Sequence, residues 1–452
     1  MPGKDDELRA EIAAAAAAEK RADEYALRKR LLKQEPNDIP TRVDDLIATA
    51  VCADLSGHKD DALSLAQGAL ELAVTHEYLA GRVEALSELG VQWRRRDNLG
   101  RSASLLQEGV ECAQELGDKR LLARCTANLA VTRRRSNALD VAYDNALEAS
   151  QLYRDLGDLA GVNRMLHLKA SILAEQGLLE EARETYEEVI GLDAMTGDRL
   201  GRARTLGNLA LLLHDLGSYA QSAETLREAI ELFRELGTPE DVARGLNNLS
   251  ISLRDGGDFE GALEALDEAA ELAVQCGSPS MAAWTQALRA TLFLGWGRVA
   301  EAAELAQAAL TAGNKITRRV ALLTLARVAA EDDVPAALEL VERAIGLSET
   351  PNPQALRLKG ELLHALGDAD AAECALQSIE ALDATGITHT VEYLKCTVLA
   401  ARIEAKSGGR DEALALAEDA ATLRDSLGLS SSHPDPEVRR TLRAIEELQS
   451  AG

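Results

Sequence analysis

Apolar residues recur along this chain with helical spacing. In the stretch that begins at Asp198, Leu206, Leu209, Leu212, Leu213 and Leu216 fall on one helical face. The following stretch supplies Ala223, Leu226, Ala229, Ile230 and Phe233 in the same way. No proline occurs between Pro40 and Pro239, so punctuation falls to glycine, and it is periodic. One series reads Gly117, Gly157, Gly197, Gly237 and Gly277. A second reads Gly57, Asn98, Asn137, Gly177, Gly217, Gly257 and Gly297, then Asp332, Gly367 and Gly408, at intervals of 35 to 41 residues. A helix ending in a left-handed residue needs Gly or, failing that, Asn. After the first series come Asp118, Asp158, Asp198, Thr238 and Ser278, all N-cap residue types, with Pro239 and Pro279 suited to the first helical position. Each forty-residue unit therefore predicts two helices of roughly 15–18 residues joined by a tight turn.

Small residues recur at fixed places. Ala62, Ala103, Ala142, Ala182, Ser222, Ala262, Ala302, Ala372 and Ala413 follow the turns, while Ala50, Ala130, Ala170, Ala210, Ser250, Ala290 and Gly360 precede them. Small side chains let neighbouring helices approach closely. One pair cannot hide its apolar faces alone, so the pairs must stack, which predicts an all-α, right-handed α-solenoid of about ten or eleven repeats. Residues 1–40 read as an N-terminal helical cap or first repeat, 41–428 as the solenoid, and 429–452 as a loop (Ser430–Pro436) and a capping helix. That helix carries Val438, Leu442, Ile445 and Leu448 on one face. Beyond about residue 310 the shortened units leave the register open.

Composition narrows the function. The 452 residues carry a formal charge of −26, which argues against broad contact with nucleic acid or an anionic membrane. The longest apolar stretch, Val320 to Ala330, is too short to span a bilayer, and the N-terminal alanine run is too weakly hydrophobic for a signal peptide. Six cysteines without a CxxC pair read as free thiols, so the expectation is a cytoplasmic protein. The excess of arginine over lysine suggests a bacterial source. Phosphate-loop, dinucleotide, nucleophile-elbow and HExxH motifs are absent, and the seven histidines lack metal spacing. The expectation is no enzyme, no metal and no cofactor.

One constellation stands out. Arg124, Arg164, Arg204 and Arg244 are spaced at forty, with Asn128, Leu168, Asn208 and Asn248 four residues later and Asn247 beside the last. Residues i and i+4 share a helical face, so stacked repeats predict a polar ladder on the order of 30 Å long. His214 and Arg254 lie further along the same helices, and the triplets Arg94–Arg96 and Arg133–Arg135 fall near predicted helix C-termini, where cations complement the dipole.

The pattern Arg-x-x-x-Asn-Leu-Ala, followed by Leu-Gly and a small residue five positions on, resembles the tetratricopeptide repeat. Its forty-residue length is similar to the longer variant found in G-protein-signalling modulators, kinesin light chains, bacterial Rap-like peptide receptors and the sensor halves of some regulators. Leu32–Asp38 (LKQEPND) looks like the end of an ordinary 34-residue repeat. The resemblance implies that the ladder lines a concave groove, with Asn holding the backbone of a bound segment and Arg its carboxylates. The implied function is a scaffold for a protein or peptide partner bearing an acidic or carboxylate-rich extended segment. The alternative is a regulatory sensor that binds a small molecule or signalling peptide and controls a separate effector. Structural pairing of the arginines with Glu175, Asp215 and Asp255 competes with the groove reading, and alanine-rich outer helices also permit a homo-oligomer.

Overall fold

The structure is a computed structural model that describes residues 4–34, 38–348, 350–431 and 433–451. Among these residues there are 23 helices and no strand. The first 22 form eleven consecutive pairs, from Lys4–Ala17 with Arg21–Leu31 to Val391–Ser407 with Arg410–Ser426. Helix Pro436–Ala451 stands last. Residues 35–37 of the LKQEPND stretch and Ser432 of the C-terminal loop lie outside the described residues. From Ile39 to Gly295 each helix has 17 or 18 residues. The next five shorten to between 12 and 15, which accounts for the 35-residue spacing.

The turns follow the periodicity with instructive departures. The left-handed position in the second series is Asp97 (φ 61°) and not Asn98. Asn98 instead caps the next helix, accepting from Arg101 N–H at 3.1 Å, so the turns at 57, 97, 137 and 177 keep a strict forty-residue interval. Glu77 (φ 53°) fills the place that Gly117 takes one repeat later. Asp118, Asp158 and Asp198 cap as expected through backbone N–H groups. Thr238 and Ser278 do not cap with their side chains; the Thr238 hydroxyl donates back to Phe233 O (3.2 Å) instead. The turn at Asp332 is also not left-handed: Asp332 and Asp333 N–H both bond Ala329 O, and Asp333 caps the following helix.

The chain forms two compact units, residues 1–172 and 173–452. In the first, Val83, Leu86, Leu106, Cys125 and Leu129 pack together, and in the second Leu226, Ile230, Leu246, Leu266 and Leu292 do so. Burial of each such side chain stabilises by roughly 1.5–3 kcal/mol. The small positions carry the close approach: Ala50, Ala130, Ala170, Ala210 and Ala290 are fully buried. Ala372 is the exception, because in the shortened repeat Ala371 takes the buried place. Where serine occupies a small position its hydroxyl is satisfied locally. Ser222 donates to Ala210 O (2.6 Å) and meets Ser252 Oγ (2.8 Å); Ser102, Gly90 O and Thr132 repeat the arrangement in the first unit.

Unit 173–452 has a feature that the repeat pattern does not contain. Its C-terminal part returns onto the turns of its own first repeats. A Cβ on Gly217 would lie 2.0 Å from His389 O, and one on Gly177 would lie 3.0 Å from Gly386 N, so both positions require glycine for contact as well as for positive φ. The N–H of Val391 donates to Tyr219 Oη at 3.0 Å. Tyr219, Val391, Leu394, Val438, Leu442 and Ile445 then share one apolar cluster with buried Ala444, while Leu448 of the last helix is only half-buried.

Candidate functional site

The ladder residues lie on the first helix of each pair, and each unit treats them differently. In unit 1–172, Arg124 Nη2 lies 3.6 Å from Glu84, and Asn128 donates to Ser87 Oγ at 3.1 Å. Exposed Arg164 sits with its guanidinium 5.6 Å from the centre of the Tyr153 ring, a cation–π distance. The arginine triplets occupy last helical turns, as the dipole reading requires, and they also staple neighbouring pairs. Arg94 donates to Asn128 O (3.1 Å), Arg95 pairs with Asp54, Arg96 with Asp60, and Arg135 reaches both Arg94 O and Asp97.

In unit 173–452, Arg204 is exposed and Asn248 half-buried, and neither has a hydrogen bond or ion pair among the described residues. Arg244 is exposed and bonds only the neighbouring Asp241 of its own helix, at 2.8 Å. Asn208 lies half-buried on the same face as Arg204. Asn247, by contrast, belongs to the interior: it is 1 % exposed and accepts from Thr285 Oγ1 at 3.0 Å. Of the carboxylates expected to pair with the ladder arginines, Asp215 lies 3.6 Å from His214 and Asp255 serves other partners.

Those partners are His214 and Arg254. His214 Nε2 lies 3.0 Å from Asp255 Oδ2, and Arg254 grips the same carboxylate through Nε (2.7 Å) and Nη2 (3.0 Å) while its Nη1 donates to Thr291. Burial alone would lower the His214 pKa, but Asp215 and Asp255 overcome it and raise it to about 9. Burial likewise opposes ionisation of Asp255, yet Arg254 and His214 hold it well below the usual carboxylate range. Tyr219 packs edge-on to His214 with ring centres 5.1 Å apart, and burial pushes its phenol well above its ordinary value. His214 and Arg254 are therefore engaged with Asp255 in a network inside the unit, with 22 % and 23 % of their side-chain surface exposed.

A second ionic centre escaped the sequence reading altogether. Arg357 is fully buried and bonds Glu392 (2.6 Å), Glu361 and Glu437 (3.0 Å). Glu437 also meets Lys395 at 2.9 Å. A forty-residue register continues from Arg244 to Trp284 and Thr324, and the shortened repeats carry Arg357 out of that register.

Open cavities also lie on the surface of this unit. One of about 730 Å³ has Leu209, Leu213 and Leu216 on its floor and Glu180, Glu187 and Glu224 on its walls. The other, about 410 Å³, is bounded by Thr388, His389, Tyr393 and Asp419. Among the described residues no group of three His, Cys, Asp or Glu side chains is placed to hold a metal ion, and no helix is long and apolar enough to cross a membrane.

Comparison with known proteins agrees with this architecture. Residues 161–235 match the tetratricopeptide repeat family. No curated protein matches the chain. Among solved structures, a Signal Transduction ATPase with Numerous Domains (STAND) protein with a tetratricopeptide repeat sensor, from Pyrococcus horikoshii, is similar with a TM-score of 0.55 at 18 % identity. The match covers 64 % of this chain and 44 % of that one, so the chain spans less than half of that protein's length. The apo form of the quorum sensor NprR from B. thuringiensis is similar with a TM-score of 0.56 at 14 % identity, over 75 % of this chain and 97 % of that one. At these identities the likeness is one of fold. Repeat spacing, paired helices and the match over residues 161–235 together give the chain the fold of a tetratricopeptide-like helical repeat protein.

Proposed function

We propose that the chain is a scaffold that binds a protein or peptide segment, extended and rich in carboxylates, on the first-helix face carrying Arg204, Asn208, Arg244 and Asn248. Arg124, Asn128 and Arg164 offer the same chemistry within unit 1–172. The observation that carries this reading is that Arg204 is exposed and Asn248 half-buried at repeat-related first-helix positions, neither with a hydrogen bond or ion pair among the described residues. Arginine presents a planar fork matched to carboxylate, and asparagine offers both donor and acceptor to an extended backbone. In a protein of charge −26, such a face is also a selective electrostatic guide for an acidic segment. The test is fluorescence anisotropy with a labelled peptide of alternating Glu and Ala. Arg204→Glu with Arg244→Glu is expected to weaken binding about tenfold or more, with marked salt sensitivity in the parent protein. Unchanged affinity would overturn the reading.

A second reading is a regulatory sensor for a small molecule or signalling peptide, acting on a separate effector. Two observations favour it: the 410 Å³ pocket around His389, Tyr393 and Asp419, and fold likeness to two proteins that are sensors by name. A melting shift with small metabolites, absent with acidic peptides, would select it over the scaffold.

A further inference from the structure

Glu437 enters unit 173–452 from a short acidic stretch, His433-Pro434-Asp435-Pro436-Glu437. Its carboxylate meets three cations from three different first helices: Arg357 Nη1 at 3.0 Å, Lys395 Nζ at 2.9 Å and, more loosely, Arg327 Nη2 at 3.8 Å. Burial opposes its ionisation, yet Arg327, Lys395 and Arg357 hold it well below the ordinary range. The walls of this well supply two carboxylates of their own, Glu361 and Glu392. Without Glu437 the well therefore holds three cations against two anions, an arrangement that demands a further carboxylate.

The tail is a ligand with imperfect fit. Arg327 Nε is buried without a hydrogen-bond partner, and Glu437 approaches that guanidinium no closer than 3.8 Å. His433, 8 % exposed, accepts from Asp435 N–H through Nδ1, and its Nε2 is buried without a partner above Gly257. Buried polar groups left unmatched cost stability. The stretch holds its own shape, because Arg439 donates to the carbonyls of His433 (2.6 Å) and Pro434 (2.7 Å), and Asp435 caps Glu437 N–H at 2.7 Å. Behind it, Val438, Leu442 and Ile445 bury the helix face.

We infer that the Arg327–Arg357–Lys395 well is a carboxylate-recognition site for a partner protein, and that the chain's own tail is its resident competitor. The partner segment has the chemistry of the tail: an acidic, proline-punctuated turn with two carboxylates two residues apart, leading into an amphipathic helix. A cis competitor lowers the affinity for that partner by the fraction of time the well stands open, so binding couples to release of the tail. The inference uses none of the exposed arginines, and its success or failure is separate from that of the face at Arg204 and Arg244.

The test uses the full chain and a labelled peptide spanning residues 429–452. The parent chain is expected to bind the peptide weakly, and the Glu437→Gln chain about tenfold more tightly. The same peptide carrying Glu437→Gln is expected to lose about tenfold on that variant. Hydrogen–deuterium exchange supplies a readout that does not depend on the variant's folding. Excess peptide added to the parent chain is expected to raise exchange in the chain's own residues 436–451. Equal binding of both peptides, or exchange in that helix unaltered by saturating peptide, would overturn the proposal.

Discussion

Arg204 and Arg357 are the same residue type on first helices of one unit, yet their surroundings are opposite. Arg204 is exposed and has no hydrogen bond or ion pair among the described residues, while Arg357 is fully buried among Glu361, Glu392 and Glu437. The difference lies in what packs over each side chain: Glu437 and Glu392 lie on Arg357, while the segment around His389 reaches the turn that follows the Arg204 helix, at Gly217 and Tyr219. One arginine is thus exposed, while the other is enclosed by carboxylates from three helices. The repeat pattern alone does not distinguish them.

The comparison can be broken most forcefully at Arg357. Arg357→Met leaves three carboxylates without their buried cation and is expected to cost about 3–5 kcal/mol, measured by denaturant unfolding. Arg204→Met is expected to change stability by no more than about 0.5 kcal/mol. A smaller contrast isolates the returning loop. Gly217 and Gly237 share left-handed φ values of 72° and 68°, but only Gly217 lies against His389 O. Gly237→Ala is expected to cost about 1–2 kcal/mol for the backbone alone, and Gly217→Ala roughly 2–5 kcal/mol because the loop must also shift.

The His214–Asp255–Arg254 network carries a pH signature. His214 has its pKa raised from 6.5 to about 9, so its contribution to stability is complete below pH 6.5 and is lost as pH rises through about 9. Unfolding free energy is expected to fall by on the order of 1–3 kcal/mol across that window, and His214→Gln to flatten the slope. The exposed face sharpens the contrast from the other side. Arg204→Glu with Arg244→Glu is expected to leave the melting temperature within about 2 °C while removing peptide binding.

The helices were legible because glycine, small residues and leucines repeat in step with one another. The solenoid follows from the inability of a single pair to bury its own apolar face. Turn chemistry was legible to within a residue: Asp97 and Asn98 exchange roles because an Asx side chain serves either as left-handed residue or as N-cap. What periodicity did not reveal is the contact between Tyr219 and Val391, 172 residues apart. No local propensity encodes such a return. Gly217 was read as a helix stop, and it also makes room for His389 O. Spacing alone likewise does not reveal that His214 and Arg254 share the Asp255 carboxylate. Arg357 was missed because the shortened repeats broke the register that found Arg204 and Arg244.

Hydrogen–deuterium exchange of the full chain, read at the Val391 amide and through residues 437–445, tests the return of the C-terminal segment most directly. The account predicts protection comparable to that of the helices in the core of unit 173–452, with loss of protection in the Glu437→Gln chain. Exchange at those amides as fast as in an unstructured peptide, in the parent chain, would contradict it.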